Sequence, residues 1–222
     1  MANNYWIDEH TLAALDFDNS IDDLTGRQWI CSNKSNLRFI DDNPLSDVKK
    51  SLRFNGGYYL YNTWGLLTGG ALRTIDFWFK ITSYTTSTFF SFGSTGYTNG
   101  CMAIYFHSDG RLEIDLHNVL IYLSPSVNKW HHIAFSGGNG STECACFLDG
   151  KKQAHSVEPL NTASSYFYIG TGYYGTANNL NIAFFRISNN IRWTQNFTVP
   201  ELHYYYNKHK LYINDDNTYG IL

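Results

Sequence analysis

The sequence predicts an all-β protein, a two-sheet antiparallel β-sandwich with little helix that occupies most of its 222 residues. Three observations carry this. Charged residues are only 16% of the chain while aromatics reach 17%, a balance that suits half-buried strands rather than helical bundles, which favour Ala, Glu, Lys and Leu. Apolar runs are short and closed by Gly, Asn, Asp or Ser, the punctuation of a sandwich. No segment sustains a 3.6-residue apolar period. A chain of this length forms one large sandwich core more readily than two domains.

Taken in order, Thr11–Phe17 reads as the first strand and Asp18–Gly26 as an Asp/Gly-rich turn. A short helix is expected only at Pro44–Lys49, where Asn43 suits a cap and Pro44 the first helical position. Ser51–Phe54 and Tyr58–Tyr61 flank Asn55-Gly-Gly57 and predict a hairpin. Leu72–Ile81 and Thr88–Phe92 read as further strands. Cys101–His107 and Arg111–Asn118 are joined by the tight-turn sequence Ser108-Asp109-Gly110. Leu120–Leu123, His131–Phe135 and Glu143–Leu148 continue the series. Asp149-Gly150 then turns the chain into Lys151–His155, and Tyr166–Gly170 and Leu180–Ser188 complete the body. Beyond Pro200, residues 202–222 form an extension in which His209–Ile213 and Thr218–Leu222 predict one hairpin, packed on the sandwich or on a neighbouring subunit.

Charge and hydropathy exclude two classes of partner. The net charge is −3 with scattered basic residues, which gives no electrostatic case for nucleic acid. No apolar run approaches the ~20 residues that span a bilayer, so no membrane insertion is expected. The start, Met1 to Trp6, lacks a basic stretch followed by an apolar one, so the reading is a protein made in the cytoplasm without a signal peptide, for use there or in a virion or extracellular setting. Sequons at Asn33, Asn139 and Asn196 fit surface loops. Cysteines stand at 31, 101, 144 and 146. Cys144 and Cys146 sit at strand positions i and i+2, with Cβ atoms ~6.5–7 Å apart, too far for a disulfide. All four read as small core hydrophobes, and the C-x-C pair lacks a second Cys/His pair for a metal.

Five segments in order carry a family resemblance: Ser51 to Leu60, Thr74-Ile-Asp-Phe-Trp78, Lys129-Trp-His-His-Ile-Ala134, Cys146-Phe-Leu-Asp-Gly150, and Phe185-Arg-Ile-Ser188 continued by Arg192-Trp-Thr194 and Asn196 to Pro200. Together they resemble the concanavalin A-like lectin/glucanase superfamily in its laminin-G-like jelly-roll form. The resemblance spans about residues 11–201, so the domain is placed at 1–201. The closing motif also resembles domains of phage and prophage tail proteins. Members without a catalytic motif bind carbohydrate or protein ligands, so the resemblance implies binding.

Three chemistries are weighed beside it. Glu113-Ile-Asp115-Leu-His117 is similar to the E-x-D-x-E strand of jelly-roll glucanases, but His117 stands where the second Glu belongs, and retaining hydrolysis needs two carboxyl groups ~5–5.5 Å apart. Trp130-His131-His132 matches a family segment found in non-enzymes, with no recognisable nucleophile motif beside it, so it reads as structural. For calcium, Asp23 matches a family turn and Asp18 lies nearby, but Ala183-Phe184 and Asn55 replace the family's other acids. Asp18 and Asp23 therefore read as solvated turn carboxylates, and no metal or cofactor is expected.

Strand alternation then predicts a binding face. Met102, Ile104, Phe106, Leu112, Ile114 and Leu116 point to the core. The opposite face presents Tyr105, His107, Glu113, Asp115 and His117, with Tyr122 on the next strand and Tyr97, Tyr173 and Tyr174 in adjoining loops. Aromatic faces suit pyranose C–H groups and polar side chains suit hydroxyls; the bland alternative is a solvated sheet. The expectation is a non-catalytic carbohydrate- or surface-recognition module, not an enzyme, belonging to a phage or prophage particle. Its ligand is a glycan or cell-surface group. The competing class is a structural domain whose aromatic loops and terminal hairpin pack into a homo-oligomer, and the third is a glycoside hydrolase.

Overall fold

A computed structural model describes residues 7–44, 50–62, 64–65, 67–93, 101–115, 120–138, 144–156, 162, 166–172 and 174–199. In chain order the strands are β1 (Thr11–Leu15), β2 (Ile30–Cys31), β3 (Phe39–Ile40), β4 (Ser51–Phe54), β5 (Leu60–Tyr61) and β6 (Arg73–Ile81). They continue with β7 (Ser87–Gly93), β8 (Cys101–Phe106), β9 (Leu112–Asp115), β10 (Leu120–Leu123), β11 (Trp130–Gly137) and β12 (Cys144–Leu148). The last are β13 (Lys151–Ser156), β14 (Phe167–Ile169), β15 (Thr171–Gly172), β16 (Gly175–Thr176) and β17 (Leu180–Ser188). One 3-10 turn, Lys34–Asn36, is the helix among the described residues.

Two large antiparallel sheets face each other. The first runs β13-β12-β11-β6-β17-β4-β3, with β1 also paired to β17. The second runs β10-β9-β8-β7-β14-β5-β2. A jelly-roll sandwich results, as the family motifs imply. The inward positions are rich in Phe: Phe54, Phe77, Phe79, Phe90, Phe92, Phe106, Phe167 and Phe185 are all buried in one core. Phe92 and Phe167 stack at 3.9 Å across β7 and β14. Met102, Ile104, Phe106, Leu112 and Ile114 join that core as alternation predicts. Cys31, Cys144 and Cys146 are buried and join the core as small hydrophobes. Burial pushes the Cys146 thiol far up, which keeps it protonated and unreactive.

The hairpin expected at 55–57 is not one. β4 lies in the first sheet beside β17, whereas β5 lies in the second beside β14, so the chain crosses between layers there. Gly56 and Gly57 both hold φ 77°, and a Cβ on Gly56 would lie 2.8 Å from Asn178 Oδ1. The turn residues were read correctly, but positive φ serves a crossover as well as a hairpin. β2 and β3, two residues each, carry no period-2 signal and were not anticipated. Residues 45–49 of the helix expected at Pro44–Lys49, and the hairpin expected in 202–222, fall outside the described residues.

The outer face of the first sheet is covered. Trp193 and Phe197 stack at 4.0 Å and pack with Ala134, Ala145 and Phe147. Beneath them Asp76 accepts bonds from Arg186 Nε at 2.9 Å and Nη2 at 3.0 Å, and lies 3.4 Å from His132 Nε2. Burial alone would raise the Asp76 carboxyl, but the Arg186 charge and His132 hold it at about 2.

Candidate functional site

The outer face of the second sheet is built around the β8–β9 hairpin. His107 N–H donates to Arg111 O at 2.8 Å, and Gly110 takes φ 92° to close the turn. Arg111 Nε donates to Asp109 at 2.7 Å, and its guanidinium lies 4.9 Å from the Tyr122 ring. The register sets Tyr105 beside Glu113 and Glu113 beside Tyr122, so three strands contribute adjacent outward side chains. His107 Nε2 lies 2.9 Å from Glu113 Oε2.

A small hairpin, β15–β16, lies over this face. Ser91 Oγ on β7 donates to Thr171 O at 2.8 Å, and a Cβ on Gly172 would meet Thr88 Cγ2 at 2.6 Å. Glycine at 172 therefore lets the hairpin lie directly on the Thr88 and Ser91 side chains of β7. The hairpin carries Tyr174, whose ring stands edge-on to Tyr105 at 4.7 Å and to His107 at 5.3 Å.

Tyr105, His107, Glu113, Tyr122 and Tyr174 are thus neighbours, and Asp115 follows Glu113 on the same face, half-buried. The expected presentation is corrected for two of them. Tyr105, under the Tyr174 ring, is 3% exposed and Glu113, paired with His107, 7%, whereas Tyr122 at 47% and Tyr174 at 40% stand open. The patch is thus partly covered by the Tyr174 hairpin rather than a fully open sheet face. Tyr97, His117 and Tyr173 lie outside the described residues.

Asp23 is also corrected. It is 6% exposed, not solvated. Its Oδ1 accepts from Ala14 N, Thr25 N and Thr25 Oγ1 at 3.1, 2.8 and 2.7 Å, and Oδ2 accepts from Trp29 Nε1 at 2.9 Å. Such a carboxylate pins the turn and has little left for a cation. Among the described residues no group of three His, Cys, Asp or Glu is placed to hold a metal. In the Trp130–His132 segment both imidazoles are buried. His131 Nδ1 lies 2.8 Å from Asp149 Oδ2, and His132 sits against Trp78 and Trp193. Burial works to raise Asp149, but the bonds from His131 and the His132 N–H leave it lowered.

The sequence reading passed over four tyrosines on the same outer face, beyond the hairpin: Tyr59, Tyr61, Tyr166 and Tyr168. Tyr61 and Tyr168 are register partners with ring centroids 6.2 Å apart. Tyr59 lies 5.9 Å from Tyr61 and 6.0 Å from Tyr168, and Tyr166 lies 6.4 Å from Tyr168. The available signal was alternation: Tyr59 and Tyr61 flank Leu60, and Tyr166 and Tyr168 flank Phe167.

Residues 55–195 match the laminin-G-type family model described as the concanavalin A-like lectin/glucanases superfamily. A comparison with curated protein sequences returned no match. Among solved structures, the fold is similar to domain 4 of AbnA, a GH43 extracellular arabinanase from Geobacillus stearothermophilus, in complex with arabinotriose. That likeness has a TM-score of 0.63 at 19% identity, over 82% of this chain and 93% of that one. The botulinum neurotoxin type G receptor binding domain is similar at TM-score 0.62 and 12% identity, over 91% of this chain and 51% of that one. A sialidase from Trypanosoma rangeli, in complex with 2,3-difluorosialic acid, is similar at TM-score 0.61 and 13% identity, over 83% of this chain. This chain spans about half of the neurotoxin domain and 32% of the sialidase. At these identities the likeness is one of fold.

Proposed function

The chain belongs to the concanavalin A-like lectin/glucanases superfamily, and from that premise we propose that it is a non-catalytic module that recognises carbohydrate on a polymer or cell surface. The observation that carries the reading is the partly covered patch on the outer face of the second sheet: His107 and Glu113 pair at 2.9 Å, the Tyr105 ring stands edge-on to Tyr174, and the rings of Tyr174 and Tyr122 are exposed. Rings take up the C–H faces of a sugar, and a carboxylate and an imidazole grip its hydroxyls. A jelly-roll domain bound to arabinotriose and a toxin domain that binds a receptor, both of this fold, support it. The resemblance of the closing motif to tail proteins extends the proposal to a phage or prophage particle, where such a module would hold the particle to its host.

Hydrolysis is the weaker reading. The register partners of Glu113 are Tyr105 and Tyr122, and those of Asp115 are Ala103 and Leu120. Glu113 and Asp115 share one face of β9 at i and i+2, but neither has a further carboxylate as a register partner, and Glu113 is engaged by His107 at 2.9 Å. An oligomer seated on the tyrosines is the other reading. No helix among the described residues is long and apolar enough to cross a membrane.

A glycan array probed with the wild-type chain and Glu113→Gln tests the proposal. Wild type is expected to bind a defined set of glycans and the variant to lose them at least about tenfold. An array blank for wild type, or sugar release from a retained glycan, contradicts it.

A further inference from the structure

We infer that Thr88 on β7 is a further sugar-contacting residue of this site, reached when the β15–β16 hairpin tilts away from β7. The inference rests on the carbohydrate reading and adds to it a residue, a moving part and the direction in which the ligand lies.

Thr88, Tyr105, Glu113 and Tyr122 are successive register partners on β7, β8, β9 and β10, so their side chains stand in one row across the strands. The row measures roughly 14 Å over three strand spacings. Its Tyr122 end is open and its other end is shut, for Thr88 is 0% exposed. The Thr88 hydroxyl has no hydrogen-bond partner among the described residues. Its neighbours on β7 make the contrast. Ser87 Oγ donates to Asn178 O at 2.9 Å and accepts from Asn178 N at 3.0 Å, and Ser91 Oγ donates to Thr171 O at 2.8 Å. A buried hydroxyl with no partner weakens the fold, and Val would fill the same strand position without that cost. An orphan beside two satisfied hydroxyls therefore points to a partner taken up in another state. The row it belongs to, with a ring and a carboxylate next along it, identifies that partner as a sugar hydroxyl.

The cover over Thr88 is small. β15 and β16 pair through Thr171–Thr176 and Gly172–Gly175. The ends of the hairpin are pinned: Gly170 N–H donates to Phe89 O and Ala177 N–H to Gly170 O, both at 2.8 Å. Its seat is Gly172, where a Cβ would come within 2.6 Å of Thr88 Cγ2 and 3.1 Å of Ser91 Cβ. On the other strand a Cβ at Gly175 would meet nothing within 4 Å. The hairpin is thus packed on one side and open on the other, and it turns about its pinned ends without disturbing the core. That turn uncovers Thr88 and carries Tyr174 off the Tyr105 ring. A sugar chain then lies across the strands, its C–H face on Tyr105 and its hydroxyls on Thr88 and Glu113.

The test reads the glycan array with the full chain over a concentration series, so that each retained glycan returns an apparent Kd, and records melting temperatures alongside. Thr88→Val should weaken the glycans that wild type retains about five- to tenfold. Its melting temperature should stay level or rise by about 2–4 °C, because an unsatisfied hydroxyl has been removed. Thr88→Ser keeps the hydroxyl and should bind close to wild type. Ser91→Ala frees Thr171 from β7, raises the open fraction and should tighten binding a fewfold. A merely structural threonine would lower the melting temperature and leave the affinities alone. Wild-type affinity in Thr88→Val overturns the contact, as does a loss that Thr88→Ser does not restore. A fall of more than about 4 °C in Thr88→Val would place the hydroxyl's partner in the free protein and overturns it too. Unchanged or weaker binding in Ser91→Ala overturns the tilting hairpin. In each of these cases retention by wild type and its loss in Glu113→Gln leave the carbohydrate reading standing. An array blank for wild type removes that reading and Thr88 with it.

Discussion

Two histidine–carboxylate pairs lie on opposite outer faces of this sandwich, and they have different fates. His132 and Asp76 are sealed beneath Trp193 and Phe197, and Arg186 adds two bonds to the same carboxylate. His107 and Glu113 are closer, at 2.9 Å, but their roof is Tyr174 on a small hairpin. Among the described residues the Glu113 carboxylate has His107 as its one hydrogen-bond partner. The same residue types are thus structural where the protein saturates them and stays shut. They are available to a ligand where the protein leaves acceptor sites and an open side.

Substitutions should separate the two faces, with the largest effect on the sealed one. Arg186→Met leaves the buried Asp76 charge without its main partner and should cost about 3–5 kcal/mol in denaturant unfolding. A loss below about 1 kcal/mol would mean that Asp76 is far more solvated than its burial implies. Trp193→Ala opens the lid over His132 and should cost about 3 kcal/mol, read by the same titration.

Acid should act first on the sealed face. The folded Asp76 carboxyl holds out to about 2 against an ordinary 3.8, and the half-buried Asp8, paired with Arg192, behaves alike. Burial works to raise both, and the guanidinium partners outweigh it. Because the unfolded carboxyls take up protons at higher pH than the folded ones, this stability is complete above about pH 4. It is lost as pH falls toward 2. The melting temperature should decline across that window, and Arg186→Met should flatten the Asp76 part of the decline. An equally steep decline in that variant would assign the acid transition to other groups.

On the open face the order of effects reverses. Glu113→Gln keeps an acceptor for His107 and should change stability by less than about 1 kcal/mol while abolishing glycan retention. Tyr122→Ala, at an exposed position, should be smaller still in stability, about 0.5 kcal/mol, and should weaken binding only a fewfold. A Tyr122 effect larger than that of Glu113 would move the centre of the site to the β10 edge.

What the sequence made legible follows the range of each signal. Leu180–Ser188 and Ser51–Phe54 stand where alternation and turn residues put them, since both signals are local. The fate of Asn55-Gly-Gly57 was not legible, because positive φ does not say which sheet receives the next strand. The segment bearing Tyr174 carries only a loop signal, so its cover over Tyr105 and His107 is not legible in the sequence. That cover depends on Gly172 meeting Thr88, a contact more than 80 residues apart along the chain. The Tyr61–Tyr168 pairing joins β5 to β14 and was invisible for the same reason.

The most direct test of the account is to follow the imidazole signals of His107 and His132 by NMR while a glycan retained on the array is titrated in. The account predicts that the His107 signals shift saturably and the His132 signals stay fixed. A saturable shift at His132 with His107 unmoved would place binding on the sealed face and contradict it.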